Sequence, residues 1–227
     1  VDTECIDSAD KPGHEVTVTG FKIDKYDVTT AHYRACVDAG ACTAARTTVP
    51  EEPHTITTEP MCNWEVEGRD DHPINCVDWN QAVAFCEWAN KRLPTEAEWE
   101  RAARGVDGRK FPWGNAAIDC NLANYFPPGN ACVGHTSAVG SNPDGVSPYG
   151  ALDMAGNVWQ WTADWYDSDY YDYAPTENPT GPETGKWRVL RGGSWVTVGM
   201  GLRCSKRGHL APEKWDDFTG FRCARDQ

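Results

Sequence analysis

The sequence predicts an α+β domain poor in regular structure, and three observations predict it. Helical patterns with explicit start signals are confined to the first half of the chain, while short β-like runs divided by long loops fill the second. Twenty-one glycines and fifteen prolines punctuate the whole length, so loops should be abundant. Ten cysteines, with no CxxC pair and no Cys/His spacing of the zinc type, read as up to five disulfides. A chain of 227 residues with eleven tryptophans and 40% hydrophobic content can bury one substantial core, and a single domain over 1–227 is expected.

The elements follow in order. Residues 14–23 alternate, with Val16, Val18, Phe21 and Ile23 apolar, like a half-buried strand. A helix over 30–38 follows, stopped by Gly40. Asp78-Trp79-Asn80-Gln81 has capping-box form, and Trp79, Ala82, Val83, Phe85, Cys86 and Ala89 make one apolar stripe at helical spacing. Thr95-Glu96-Ala97-Glu98 repeats the capping logic for a third helix that turns Trp99 and Ala102 inward. Glu96, Glu98 and Glu100 read as a capping box and a solvated helix face. Runs at 159–162, 188–190 and 220–222 are the β-like segments. No internal repeat is visible.

Charge excludes some functions. Thirty-four carboxylates against 21 lysines and arginines give a formal charge of −13, which opposes binding to nucleic acid or anionic lipid. No stretch approaches the ~20 apolar residues of a membrane span, so no membrane insertion is expected. The cysteines place the chain in an oxidising compartment, secreted, cell-surface or periplasmic, and the absence of a signal peptide at Val1 reads as a processed or trimmed form. Six histidines show no HxxxH or H-E-x-x-H pattern, no G-x-S-x-G elbow occurs, and no glycine-rich phosphate loop opens a helix.

One set of motifs is more specific. Lys91-Arg92-Leu93-Pro94-Thr95-Glu96-Ala97-Glu98-Trp99-Glu100 is followed by Phe111-Pro112-Trp113-Gly114-Asn115 and then by Tyr149-Gly150-Ala151-Leu152-Asp153-Met154-Ala155-Gly156-Asn157-Val158-Trp159-Gln160-Trp161. Arg191-Gly192-Gly193-Ser194-Trp195 and Gly220-Phe221-Arg222-Cys223 complete the series, with Asp27-Val28-Thr29 near the start. In order and wording these resemble the formylglycine-generating-enzyme (sulfatase-modifying-factor) family, from about Val16 to Arg225. The resemblance implies a formylglycine-generating-enzyme-like fold of C-type-lectin-like type, here without the usual first N-terminal strand.

The resemblance also implies a copper(I) site made by two thiols after Gly-Gly-Ser, where the family's oxidases convert a substrate cysteine to formylglycine. Here that segment reads Ser194-Trp195-Val196-Thr197-Val198-Gly199-Met200-Gly201-Leu202-Arg203-Cys204. Thr197 falls where the first thiol belongs, Gly199 falls on the second, and Cys204 matches a structural disulfide position. Neither threonine nor glycine replaces a soft thiolate, so no copper is expected. Met200, a soft donor, reads as packing. Ser194 and Trp159 match residues that line the family's oxygen pocket and read here as fold determinants.

The resemblance further implies calcium. Asp153, the carbonyls of Gly156 and Val158, and Gln160 overlie a calcium loop, with Gln160 standing where the family has glutamate. Oxygen donors around a glycine bend suit a hard cation. Asn124 and the carbonyl of Tyr125 match part of a second site that lacks its acidic residue. Cys86 and Cys223 match a family disulfide. Proximity in sequence then pairs Cys36 with Cys42, Cys62 with Cys76 and Cys120 with Cys132, which leaves Cys5 with Cys204.

Three functions compete. One is a secreted recognition or scaffold module whose protein, peptide or glycan ligand meets the 196–217 loop and the tyrosine-rich run, with Tyr170, Tyr171, Thr197, Met200 and Trp215 as contact residues. Another is a divergent oxidase-type enzyme acting on a peptide or natural product. The third is a retroelement-diversified binding protein on the same fold.

Overall fold

A computed structural model of the chain describes residues 13–49 and 61–227. Three helices lead: α1 over Thr30–Asp38, α2 over Trp79–Trp88 and α3 over Glu96–Arg104, preceded by strand β1 at Phe21–Ile23. The strands β2 (Trp159–Trp165), β3 (Arg188–Arg191), β4 (Arg207–Leu210), β5 (Thr219–Gly220) and β6 (Ala224–Asp226) follow.

Each helix starts where a side chain satisfies an orphan N–H. Thr29 accepts from the His32 N–H, Asp78 and Gln81 bond reciprocally, and Thr95 and Glu98 do the same, which is the capping logic read from the sequence. Gly40, at φ +72° just after α1, takes the left-handed conformation that ends it.

Strands β4-β3-β2-β5 form one sheet, antiparallel except for the parallel β2–β5 pair, and β1 pairs with β6 antiparallel. The alternation of a strand splits β2 and β3 between two layers. Trp161 and Leu190, cross-strand partners, enter a core with Tyr33, Phe85, Phe221 and Ile74 beneath α1 and α2. Gln160 and Arg191, also partners, face α3, where Trp99, Ala102, Ala103, Met154 and Cys204 pack together.

Two strand expectations shift. Of 14–23 only Phe21–Ile23 is strand, because the preceding residues are largely exposed and meet a neighbour at a single bridge, Thr17 to Glu177. The run at 220–222 ends as a strand at Gly220. A Cβ there would lie 2.5 Å from the Ile74 carbonyl oxygen, and Arg222 spends its guanidinium on the carbonyls of Asp24, Lys25 and Leu152.

Disulfides join Cys36–Cys42, Cys62–Cys76, Cys120–Cys132 and Cys86–Cys223. The last staples α2 to the segment before β6 across 137 residues. Cys204 departs from expectation: it carries a free, buried thiol, and Cys5 lies outside the described residues. Cys204 instead packs with Ala103 and Trp99 of α3, and burial, with the Glu100 carboxylate nearby, pushes its thiol pKa far up, which favours the thiol over the thiolate. No helix among the described residues is long and apolar enough to cross a membrane.

Candidate functional site

The segment after β3 turns on two glycines, and geometry requires both. A Cβ on Gly193 would lie 2.7 Å from Leu202 Cδ2, one on Gly192 would lie 3.1 Å from Trp99 Cζ2, and both residues have positive φ. Ser194 is then fully buried. Its N–H donates to Thr197 Oγ1 at 2.9 Å, the two hydroxyls meet at 3.2 Å, and the Thr197 N–H returns to the Ser194 carbonyl at 2.9 Å. Thr197 therefore spends its side chain closing its own turn. Its carbonyl accepts from the Phe126 N–H.

Beyond it, Val198 is 64% exposed and Met200 half-buried, and the carbonyl of Met200 accepts from Arg203 Nε at 3.2 Å. Trp159 stays half-buried against the edge of the main core, where a Cβ on Gly208 would touch its ring at 3.1 Å.

The Asp153-to-Gln160 loop is laced to this segment. The Gly156 N–H donates to the Gly192 carbonyl and the Trp195 N–H to the Asn157 carbonyl, both at 3.0 Å. Asp153 and Asn157 hold positive φ, which aspartate and asparagine tolerate better than most residues. Asp153 Oδ2 accepts from the Gly140 N–H at 2.7 Å, and burial raises its pKa.

Gln160 does not fit the role of cation ligand. Its Oε1 accepts from Trp99 Nε1 at 2.6 Å and Arg222 Nε at 2.8 Å, and its Nε2 donates to the Asp153 carbonyl at 2.7 Å. The Tyr125 carbonyl of the second position is likewise engaged, by the Cys132 N–H at 3.1 Å. Asn124 Oδ1 has no hydrogen-bond partner. Among the described residues no group of three or more His, Cys, Asp or Glu could hold a metal ion.

Asp27 lies against the same loop. Arg222 Nη2 is 3.0 Å from Asp27 Oδ1, an ion pair between two fully buried side chains. Burial pushes the Asp27 pKa up to about 8, opposed by Arg222 and reinforced by Asp153.

The tyrosine-rich run does not offer the rings expected of it. Tyr170 is buried and its hydroxyl accepts from the Gly181 N–H at 3.1 Å. Tyr171 donates to Glu96 Oε1 at 3.2 Å and sets its ring 4.4 Å from the Arg207 guanidinium. Tyr171 turns toward a buried charge cluster that supplies its hydroxyl partner, and Tyr170 toward the Gly181 backbone. Tyr173 is the exposed member, at 59%. Trp215 is half-buried, donating to the Thr48 carbonyl with its ring 3.7 Å from the Arg46 guanidinium.

That cluster also corrects the reading of α3. Glu96 and Glu98 are buried, at 3% and 6% exposure. Glu96 pairs with Arg207 at 2.7 and 3.0 Å and lies 3.6 Å from Arg191. Glu98 takes both Arg92 Nη groups, at 2.6 and 2.7 Å, and Glu100 pairs with Arg191. Asp164, fully enclosed beside them, accepts from the Glu96 N–H at 2.7 Å. Burial first, then the Glu96 charge, raises its pKa well above the carboxylate range. Sequence reading missed this cluster because Arg191 and Arg207, which meet Glu100 and Glu96, sit far from α3 in the chain.

Comparison with known proteins agrees with this architecture. The sulfatase-modifying factor enzyme 1-like domain profile matches residues 2–227. A formylglycine-generating enzyme of Streptomyces coelicolor is 41% identical over 173 residues, 71% of this chain and 55% of that protein. One from Mus musculus is 35% identical over 267 aligned positions, 99% of this chain and 71% of that protein. The solved structure of PvdO from Pseudomonas aeruginosa superposes with a TM-score of 0.80 at 28% identity, covering 100% of this chain and 89% of that one. The α+β, formylglycine-generating-enzyme-like fold expected from the motifs is the fold observed.

Proposed function

The chain belongs to the sulfatase-modifying factor enzyme 1-like domain family, and from that membership we propose that it is a non-catalytic binding or scaffold member. It keeps the fold and presents loops to a protein, peptide or glycan ligand. The observation that carries this reading is the Thr197 turn. The hydroxyl at the first thiol position is committed to Ser194, a glycine stands at the second, and the neighbouring Cys204 thiol is buried in the α3 core. A copper(I) ion asks for soft, deprotonated sulfur, and this donor set does not supply it. Ser194 then serves as a turn residue and Trp159 as a core-edge residue. The exposed rim around Val198 is the ligand surface that replaces the inward-facing tyrosines.

Four disulfides among the described residues suit an oxidising compartment, and from them we propose a place outside the cell, on its surface or in a periplasm. The test is copper(I) competition against a chromophoric chelator, with oxygen uptake measured on a cysteine peptide. No retained copper and no uptake are expected; stoichiometric copper or turnover would sink the reading. A peptide and glycan array probed with wild type and Val198→Asp tests the surface, and any ligand found should be lost in the variant.

A second reading has one observation in its favour. Identity of 35% over 99% of the chain links it to a protein named as an enzyme. A divergent oxidase would act on a peptide or natural product without the thiol pair, and the same oxygen-uptake assay separates the two readings.

A further inference from the structure

We infer that the Gln160 amide takes the place of the cation expected in the Asp153-to-Gln160 loop, so that this chain folds and keeps its stability independently of calcium. The inference stands apart from the proposed binding role, since it concerns how the loop is held and not what the surface recognises.

The argument is one of obligate donors. Trp99 Nε1 and Arg222 Nε can only donate, and both point at Gln160 Oε1, at 2.6 and 2.8 Å. The side chain is fully buried, so flipping the amide would set its NH2 group against two N–H groups with no water to relieve the clash. The orientation is therefore fixed by chemistry and not by choice. With Oε1 held, Nε2 must face the loop, and there it donates to the Asp153 carbonyl at 2.7 Å. A hard cation needs an oxygen acceptor at that point; this chain presents the positive end of an N–H dipole.

Positive charge is also already supplied. The Arg222 guanidinium, fully buried, bonds the carbonyls of Leu152, Asp24 and Lys25 and lies 3.0 Å from Asp27 Oδ1. It links the loop to the segment after β1, as a bound ion would. At the second expected position the Cys120–Cys132 bridge closes the loop, and the Cys132 N–H occupies the Tyr125 carbonyl. Asn124 Oδ1 and the second lone pair of the Tyr125 carbonyl would be two donors where calcium takes about six to eight.

The experiment uses the full chain. Thermal unfolding is recorded in excess calcium and in excess chelator, and terbium is titrated as a luminescent substitute sensitised by the tryptophans. Wild type should show the same Tm in both buffers and no stoichiometric terbium emission. Q160E should behave differently, because Trp99 and Arg222 would hold one carboxylate oxygen while the other faces the loop. Calcium about a hundredfold above its Kd should then raise the Tm by several degrees. A calcium-dependent Tm or one-to-one terbium emission in wild type would overturn the inference. So would a folded Q160E protein that ignores calcium, since the amide would then not be what excludes the ion. If Q160E fails to fold, the wild-type terbium titration decides alone.

Discussion

Trp99 Nε1 donates to Gln160 Oε1 at 2.6 Å across the contact between helix α3 and strand β2, with both side chains fully buried. The bond joins two sequence motifs 61 residues apart and makes the indole as much a polar anchor as a piece of core. Trp99→Phe keeps most of the ring and removes the donor, leaving Gln160 Oε1 to Arg222 alone. A loss of ~1–3 kcal/mol is expected from lost bonding and altered packing. Urea unfolding of the variant measures it, and an unchanged midpoint would mean that Arg222 alone satisfies the amide.

Asp164 sets a pH dependence. Its pKa is raised in the folded state by burial and by Glu96, so the folded protein binds a proton that the unfolded chain releases near pH 3.8. The stability linked to that proton is complete below this value and is lost as pH rises toward the folded pKa. Asp164→Asn keeps an acceptor for the Glu96 N–H and removes the titration. Unfolding free energy measured from pH 4.5 to 8 should fall less steeply in the variant than in wild type. Parallel profiles would show that Asp164 is ionised when folded.

Of the four bridges among the described residues, Cys86–Cys223 closes the longest loop, 137 residues. Replacing both cysteines with alanine should cost ~5 kcal/mol in the chain-entropy model. The same replacement at Cys36 and Cys42, only six residues apart, should cost less. Denaturant midpoints of the two double variants test the ranking, and equal losses would point to enthalpy or to residual structure in the unfolded chain.

What could be read from the sequence was what is decided locally. Asp78 with Gln81 and Thr95 with Glu98 announce their helices within four residues, and the capping bonds are there. Short cysteine spacings announced three bridges. What was misread depends on partners brought from elsewhere. Glu96 looked solvated because Arg207 lies 111 residues away, and Tyr171 looked exposed because its hydroxyl partner, Glu96, is 75 residues back. The direction of the Gln160 amide is set in the same way, by Trp99 and Arg222, about equally far on either side. Cys204 looked bridged by elimination, a bookkeeping argument that packing against α3 does not respect.

The pairing of β1 with β6 has a mechanical consequence. Phe21 sits opposite Asp226 and Ile23 opposite Ala224, so tension drawn from that edge would peel the ladder one rung at a time, its weakest direction. The peeling stops almost at once. Cys223 is anchored to α2 through Cys86, and load beyond Ala224 passes through a covalent link into the centre of the molecule.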